Sequence, residues 1–216
     1  MNPEFWHQRW LKNETAFHQT EINAHLQTYF SKLQLKPGSK VFVPLCGKSQ
    51  DMFWLLSQGF EVIGVELSPL AVQACLSENG LHVKPVIKHG FTIYKVNGLT
   101  LYCGDFFNLK QEDLEGVSAV YDRAALVALP VDIRSRYVAH LKSILPDFTQ
   151  ILLLTFEYSQ QDMKGPPFSV GEVEVKNLYK PWLDVTVVHL ADIINSEPRF
   201  RERGLRELSE KVYIIK

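Results

Sequence analysis

The residues with the most chemical capacity in this 216-residue chain fall at four places. Gly47 lies in KVFVPLCGKSQD, Lys40 to Asp51, and Glu66 follows nineteen residues later at the end of a second apolar run. A carboxylate roughly 20 residues beyond a glycine turn is where nucleotide-binding half-units hold ribose hydroxyls. One carboxylate can accept from both vicinal hydroxyls at once. Asp105, after Cys103-Gly104, could reach a ligand's base from its own strand end. Arg123, after Tyr121-Asp122, is a permanent cation with a planar donor fork. Facing a cleft, it would repel a sulfonium and favour an anionic acceptor such as a thiolate. Arg199, Arg201, Arg203 and Arg206 crowd one segment. Such runs are usually solvated, but one arginine turned inward would suit the same acceptor.

These residues need elements to hold them. Val41, Phe42 and Val43 form a short apolar run between Pro37-Gly38 and Pro44, which predicts a buried strand ending in a turn. Met52, Phe53, Leu55 and Leu56 then fall at helical spacing, with Ser49 as N-cap. Val62, Ile63 and Val65 make a second buried strand that ends in Glu66. The order strand, glycine turn, helix, strand, acid places a ligand over the strand C-termini.

Three ligand readings compete. A Walker A loop ending at Gly47-Lys48-Ser49 would need glycine at Phe42. Pro44-Leu45-Cys46-Gly47 is not the G-x-G-x-x-G of a dinucleotide site, so a nicotinamide-dependent oxidoreductase is disfavoured. A nucleoside without a diphosphate fits better, and S-adenosylmethionine is the obvious one. The same spacing also suits an α/β domain with a tight turn and an exposed glutamate.

Upstream, Phe5, Trp6, Trp10 and Leu11 suggest a short helix, and Ile22 to Leu33 a second. Two indoles ahead of the ligand unit could form a lid; an indole face beside a sulfonium gains on the order of 0.5–2 kcal/mol. Downstream, a helix runs from Pro69 to Asn79-Gly80, and Val83 to Val86 with Phe91 to Val96 reads as a hairpin turning at His89-Gly90. Strands follow at Thr100–Cys103, Val117–Tyr121, Ile151–Phe156, Val185–Leu190 and Lys211–Ile215, with helices at 133–145 and 173–178. The alternation predicts a doubly wound, Rossmann-like α/β fold.

A net charge of −1 and 46% hydrophobic residues point to neither nucleic acid nor membrane as partner. Cys46, Cys75 and Cys103 are odd in number and lack metal spacing, and no His-x-x-x-His occurs, so no metal site and a cytoplasmic location are expected. The absence of heptads predicts a monomer.

Trp6-x-x-x-Trp10 with Thr15-Ala-Phe-His-Gln19, Val41-Phe-x-Pro-Leu-Cys-Gly-Lys-Ser49, Val62-x-Gly-Val-Glu-Leu-Ser68, Leu101-Tyr-Cys-Gly-Asp-Phe-Phe107, Tyr121-Asp-Arg-Ala-Ala-Leu-Val-Ala-Leu129 and Gly165-Pro-Pro-Phe168 together resemble the thiopurine S-methyltransferase family, in its bacterial branch. The resemblance spans nearly the whole chain. It implies a single class I methyltransferase domain, 1–216, with a seven-stranded mixed sheet of order 3-2-1-4-5-7-6, strand 7 antiparallel, and residues 1–36 as a helical lid. It implies S-adenosylmethionine bound by Trp10, Leu45, Cys46, Gly47, Glu66, Asp105, Phe106 and Arg123. Arg123 would be the catalytic residue at the acceptor boundary, with Arg199, Pro167 and Phe168 on the acceptor side. The acceptor would be an aromatic or heterocyclic thiol, and family members also methylate selenium and tellurium species. The alternatives are a small-molecule O- or N-methyltransferase and a non-catalytic S-adenosylmethionine-binding protein.

Overall fold

The computed structural model describes residues 3–15 and 17–216; Met1, Asn2 and Ala16, the last within the Thr15–Gln19 motif, lie outside the described residues. Two strands set the frame. β1 (Lys40–Val43) and β2 (Glu61–Glu66) pair in parallel, Val41 opposite Val62 and Phe42 opposite Ile63. Alternation divides their side chains between two cores. Phe42, Ile63 and Val65 pack on one face, Val41, Val43 and Val62 on the other. Burial on both faces is why these strands read as continuous apolar runs.

Around this pair the chain adds β3 (Val86–Lys88), β4 (Phe91–Val96), β5 (Leu99–Cys103), β6 (Val117–Asp122), β7 (Gln150–Glu157), β8 (Val185–Asp192) and β9 (Ser209–Ile215). The sheet order is β3-β4-β5-β2-β1-β6-β7-β9-β8. β5, β2, β1, β6 and β7 run parallel, while β9 pairs antiparallel with both β7 and β8. The sheet therefore has nine strands, and the expected seven-stranded sheet is corrected. The hairpin read at residues 83–96 does not stand apart. A second tight turn at Asn97-Gly98, both at positive φ, folds β4 antiparallel onto β5 and carries β3 with it. Asn-Gly suits such a two-residue turn because both positions tolerate left-handed backbone.

Helices cover both faces. α1 (Pro3–Leu11) and α2 (Ala24–Tyr29) precede the sheet. The predicted helix to Leu33 changes at Phe30 into a 3₁₀ turn. α3 (Asp51–Ser57) begins two residues after Ser49, whose Oγ accepts the Asp51 N–H at 3.3 Å, although Gln50 occupies the N-cap. α4 (Pro69–Glu78) starts with Pro69 behind Ser68, which caps the Ala71 N–H. α5 (Val131–Ile144) and α6 (Glu172–Tyr179) lie against the Phe42 face. The arginine segment holds a short helix, α7 (Pro198–Glu202), seated by buried Phe200. No helix among the described residues is long and apolar enough to cross a membrane.

Candidate active site

The parallel strands β1, β2, β5 and β6 end on the same side of the sheet, and a cavity of about 500 Å³ opens there. Its floor is the turn after β1. Leu45 has φ 48° and Gly47 φ 55°, so the backbone turns twice through left-handed space within three residues. Glycine adopts that conformation freely, whereas leucine holds it at a cost of order 1–3 kcal/mol that the surrounding fold must offset. Cys46 anchors the turn by donating its N–H to the Val65 carbonyl at 2.9 Å.

Glu66 stands at the end of β2 and is only 7% exposed. It is thus not the exposed acid that a bland α/β reading allows. Gly47 N–H donates to its Oε2 at 2.9 Å and Ser68 N–H to its Oε1 at 2.7 Å. Each carboxylate oxygen keeps a lone pair for a ligand hydroxyl. Burial pushes the Glu66 carboxyl above the usual glutamate value, and the Ser68 and Gly47 N–H groups oppose that shift.

Over this floor lies α1. A Cβ added at Gly47 would meet the Trp10 indole at 3.3 Å, so the ring sits directly on the turn. Phe17 packs edge-to-face against both Trp6 and Trp10, with centroids 5.6 Å apart in each pair. These rings, with His18 and Gln19, form the roof. Burial, reinforced by Lys48, lowers the His18 pKa, so this imidazole favours its neutral form.

Asp105 and Phe106 line the cavity beyond β5. Asp105 Oδ1 accepts the Phe107 N–H at 2.9 Å and opens a 3₁₀ turn that buries Phe106. Gly104 is required there for space, since an added Cβ would fall 2.6 Å from the Phe91 ring of β4.

Arg123 projects from the end of β6 onto the cavity wall, and Asp51 holds it. Arg123 Nε donates to Asp51 Oδ2 at 3.0 Å, and the guanidinium also lies against the Tyr121 hydroxyl. The pair brings little net charge to the cavity. Repulsion of a bound cation by Arg123 is therefore largely offset, while its donor fork is kept.

Toward β7 and α7 the wall is made by Phe156, Pro166, Pro167, Arg199, Phe200 and Arg203. Arg199 pairs with Glu197 at 2.9 Å, and Arg203 donates to the Pro166 carbonyl at 3.3 Å. Arg201 bonds Asn195 and does not line the cavity. Phe168, expected on the acceptor side, does not line it either. Its ring folds back on Gly165 with the Arg134 guanidinium 5.9 Å away, and its N–H donates to the Val127 carbonyl at 2.7 Å.

Sequence reasoning passed over Asp51 and gave His18 and Phe17 no role. An acid in the first turn of a helix looks like ordinary charge–dipole complementarity. The Thr15–Gln19 run was noticed only as part of a resemblance. The three thiols are free, and burial raises Cys75 to about 12, Cys103 to about 11 and Cys46 well above its usual value. None is a thiolate nucleophile near neutral pH. Among the described residues no cluster of histidine, cysteine and acid could hold a metal ion.

The fold is that of the class I, Rossmann-like methyltransferases. A methyltransferase from Anabaena variabilis superposes with a TM-score of 0.63 at 14% identity, covering 100% of this chain and 95% of its own. One from Geobacter sulfurreducens, solved with S-adenosylhomocysteine, gives 0.63 at 13% identity, covering 97% and 96%. The chain belongs to the Thiopurine S-methyltransferase (TPMT) family, whose profile matches residues 1–216. The thiopurine S-methyltransferase of Nitrosospira multiformis is 48% identical over 215 residues, covering 100% of this chain and 98% of that protein. Those of Pseudomonas putida KT2440 and Pseudomonas aeruginosa are each 44% identical over 215 residues, covering 100% of this chain and 99% of theirs.

Proposed function

We propose that this enzyme transfers the methyl group of S-adenosylmethionine to the sulfur of an aromatic or heterocyclic thiol, a thiopurine among them. The observation that carries the reading is the pairing of ends within one cavity. Glu66 offers spare lone pairs at the end of β2, and Arg123 brings its guanidinium to the same cavity from the end of β6, on the far side of β1. Membership of the family and whole-chain likeness to bacterial thiopurine S-methyltransferases support it.

The residues suit the cofactor. Glu66 would hold the ribose hydroxyls, Asp105 and Phe106 would flank the base, and Leu45, Cys46 and Gly47 would lie along the methionyl part under Trp10. When bound, S-adenosylmethionine supplies an electrophilic methyl on a sulfonium centre. The protein contributes alignment, which in well-oriented reactions is worth ~7–11 kcal/mol. Arg123 would donate to the thiolate or anionic ring of the acceptor through its Nη atoms, a charge-assisted bond about twice the strength of a neutral one. Arg199 and Pro167 would bound the acceptor. An aryl thiol is acidic enough to arrive largely ionised, so no dedicated base is invoked. The Trp6, Trp10 and Phe17 rings would keep water from the reacting sulfur.

In this reading residues 1–216 act as one domain, the helices in 1–36 serve as the lid, and a single chain suffices, because every residue invoked comes from it. The free thiols suit a reducing compartment such as the cytoplasm. The test is transfer of labelled methyl to a panel of aryl thiols, phenols and anilines of matched shape. Sulfur acceptors should lead by at least tenfold in kcat/KM. Preference for an oxygen or nitrogen acceptor would overturn the thiol assignment, and no transfer to any acceptor would leave a cofactor-binding protein.

A further inference from the structure

Asp51 is 2% exposed, and its carboxylate joins the end of β6 to the start of α2. Oδ2 accepts from the Tyr121 hydroxyl and from Arg123 Nε, each at 3.0 Å. Oδ1 accepts the backbone N–H of Asn23 at 2.8 Å, the N-cap of α2. One oxygen therefore faces the arginine of the cavity wall. The other faces the chain just past Phe17, His18 and Gln19, which form the roof.

Every group around this carboxylate is a donor. An amide could not replace it, because its NH₂ would face another donor on one side or the other. A buried charge is tolerated where it is paired and hydrogen-bonded, as here. Removing one member leaves the other uncompensated. An N-terminal helix acid serving only the α3 dipole would need neither burial nor three converging donors.

We infer that Asp51 is the positioning residue for Arg123. By accepting from Nε, it fixes the plane of the guanidinium on its buried edge, so that the Nη edge is the one presented to the acceptor. By accepting from Asn23, it ties that plane to the seating of the roof. The inference rests on the acceptor-side role of Arg123 proposed above. It adds that the role depends on a carboxylate that touches neither cofactor nor acceptor.

The experiment is a double-mutant cycle on Asp51→Asn and Arg123→Ala. KM and kcat would be measured with 6-mercaptopurine, and S-adenosylhomocysteine affinity by calorimetry. Asp51→Asn should raise acceptor KM about tenfold or more, the size of a lost charged hydrogen bond, and change S-adenosylhomocysteine affinity less than about threefold. In the Arg123→Ala background the same change should add less than about twofold, because residues acting through one another are not additive. Multiplying losses would overturn the role of Asp51, as would an equal loss of S-adenosylhomocysteine affinity. An Arg123→Ala enzyme with unchanged kcat/KM would instead overturn the acceptor role of Arg123, and the inference with it. If Asp51→Asn does not fold, Tyr121→Phe perturbs the same oxygen more gently. A rise of a few-fold in KM that vanishes with Arg123→Ala supports the inference, and a rise that persists there overturns it.

Discussion

Gly47 donates its backbone N–H to Oε2 of Glu66 at 2.9 Å, so the turn after β1 and the acid closing β2 are parts of one device. With Ser68 N–H on Oε1, the carboxylate is fixed before any ligand arrives. Its ionised form is the one that can accept from two further hydroxyls. Glu66→Gln places an NH₂ against one of those N–H donors and removes the charge. S-adenosylhomocysteine binding should weaken by about 1.5–3 kcal/mol. Because burial raises the folded Glu66 pKa, wild-type affinity should begin to fall at a higher pH than an ordinary glutamate would give. Calorimetry from pH 8 down to pH 5 checks both; equal affinity in wild type and Glu66→Gln across that range would remove Glu66 from the site.

Arg123 offers the acceptor a planar fork, whereas lysine offers a point charge. Arg123→Ala should raise acceptor KM and lower kcat/KM by about tenfold or more, and Arg123→Lys should recover only part of that loss. Steady-state kinetics with an aryl thiol, at saturating cofactor, reads the difference. Full recovery by lysine would mean that charge alone matters and that the fork held by Asp51 does not.

The added hairpin bears on the site through Gly104, where a Cβ would come within 2.6 Å of the buried Phe91 ring of β4. Overpacking of this kind typically costs about 1–3 kcal/mol. Gly104→Ala should lower the melting temperature and, by shifting Asp105, weaken S-adenosylhomocysteine binding. Pairing it with Phe91→Leu, which makes room, should restore part of the binding. No recovery in the pair would mean that the loss does not arise from the contact with Phe91.

Legibility in the sequence follows physical range. The β1–turn–α3–β2 unit was readable because strands buried on both faces must be continuously apolar, and because the Gly47–Glu66 spacing reflects a fixed climb through one helix. The hairpin strands were legible as apolar runs, whereas the number seven came from the family resemblance; the β4–β5 pairing through Asn97-Gly98 is what joins the hairpin to the sheet. Asp51 carries no local signature. Its three donors lie 28 to 72 residues away, and only the folded chain brings them together. Phe168 and the arginines near α7 depend on loop geometry that composition does not encode. Arg199 and Arg203 reach the cavity while Arg201, between them, points elsewhere.

Asp122, the neighbour of Arg123 in sequence, serves stability instead. It is buried and accepts from the Tyr137 hydroxyl at 2.7 Å and from the Ala125 and Leu126 N–H groups. Burial outweighs those three donors and lifts its pKa to about 6 from an ordinary 3.8. A folded pKa above the unfolded one means that the folded state binds the proton more tightly. The resulting stabilisation is fully present below about pH 4 and is lost as pH rises through about 6. Asp122→Asn removes this titration while keeping an acceptor for the two N–H groups. The melting temperature of wild type relative to Asp122→Asn should therefore climb as pH falls from 7 to 4, by the equivalent of about 1–3 kcal/mol. Calorimetric melts of both proteins at matched ionic strength read the trend. A difference that is flat, or that shrinks toward acid, would show that the three donors hold Asp122 ionised and that burial does not dominate.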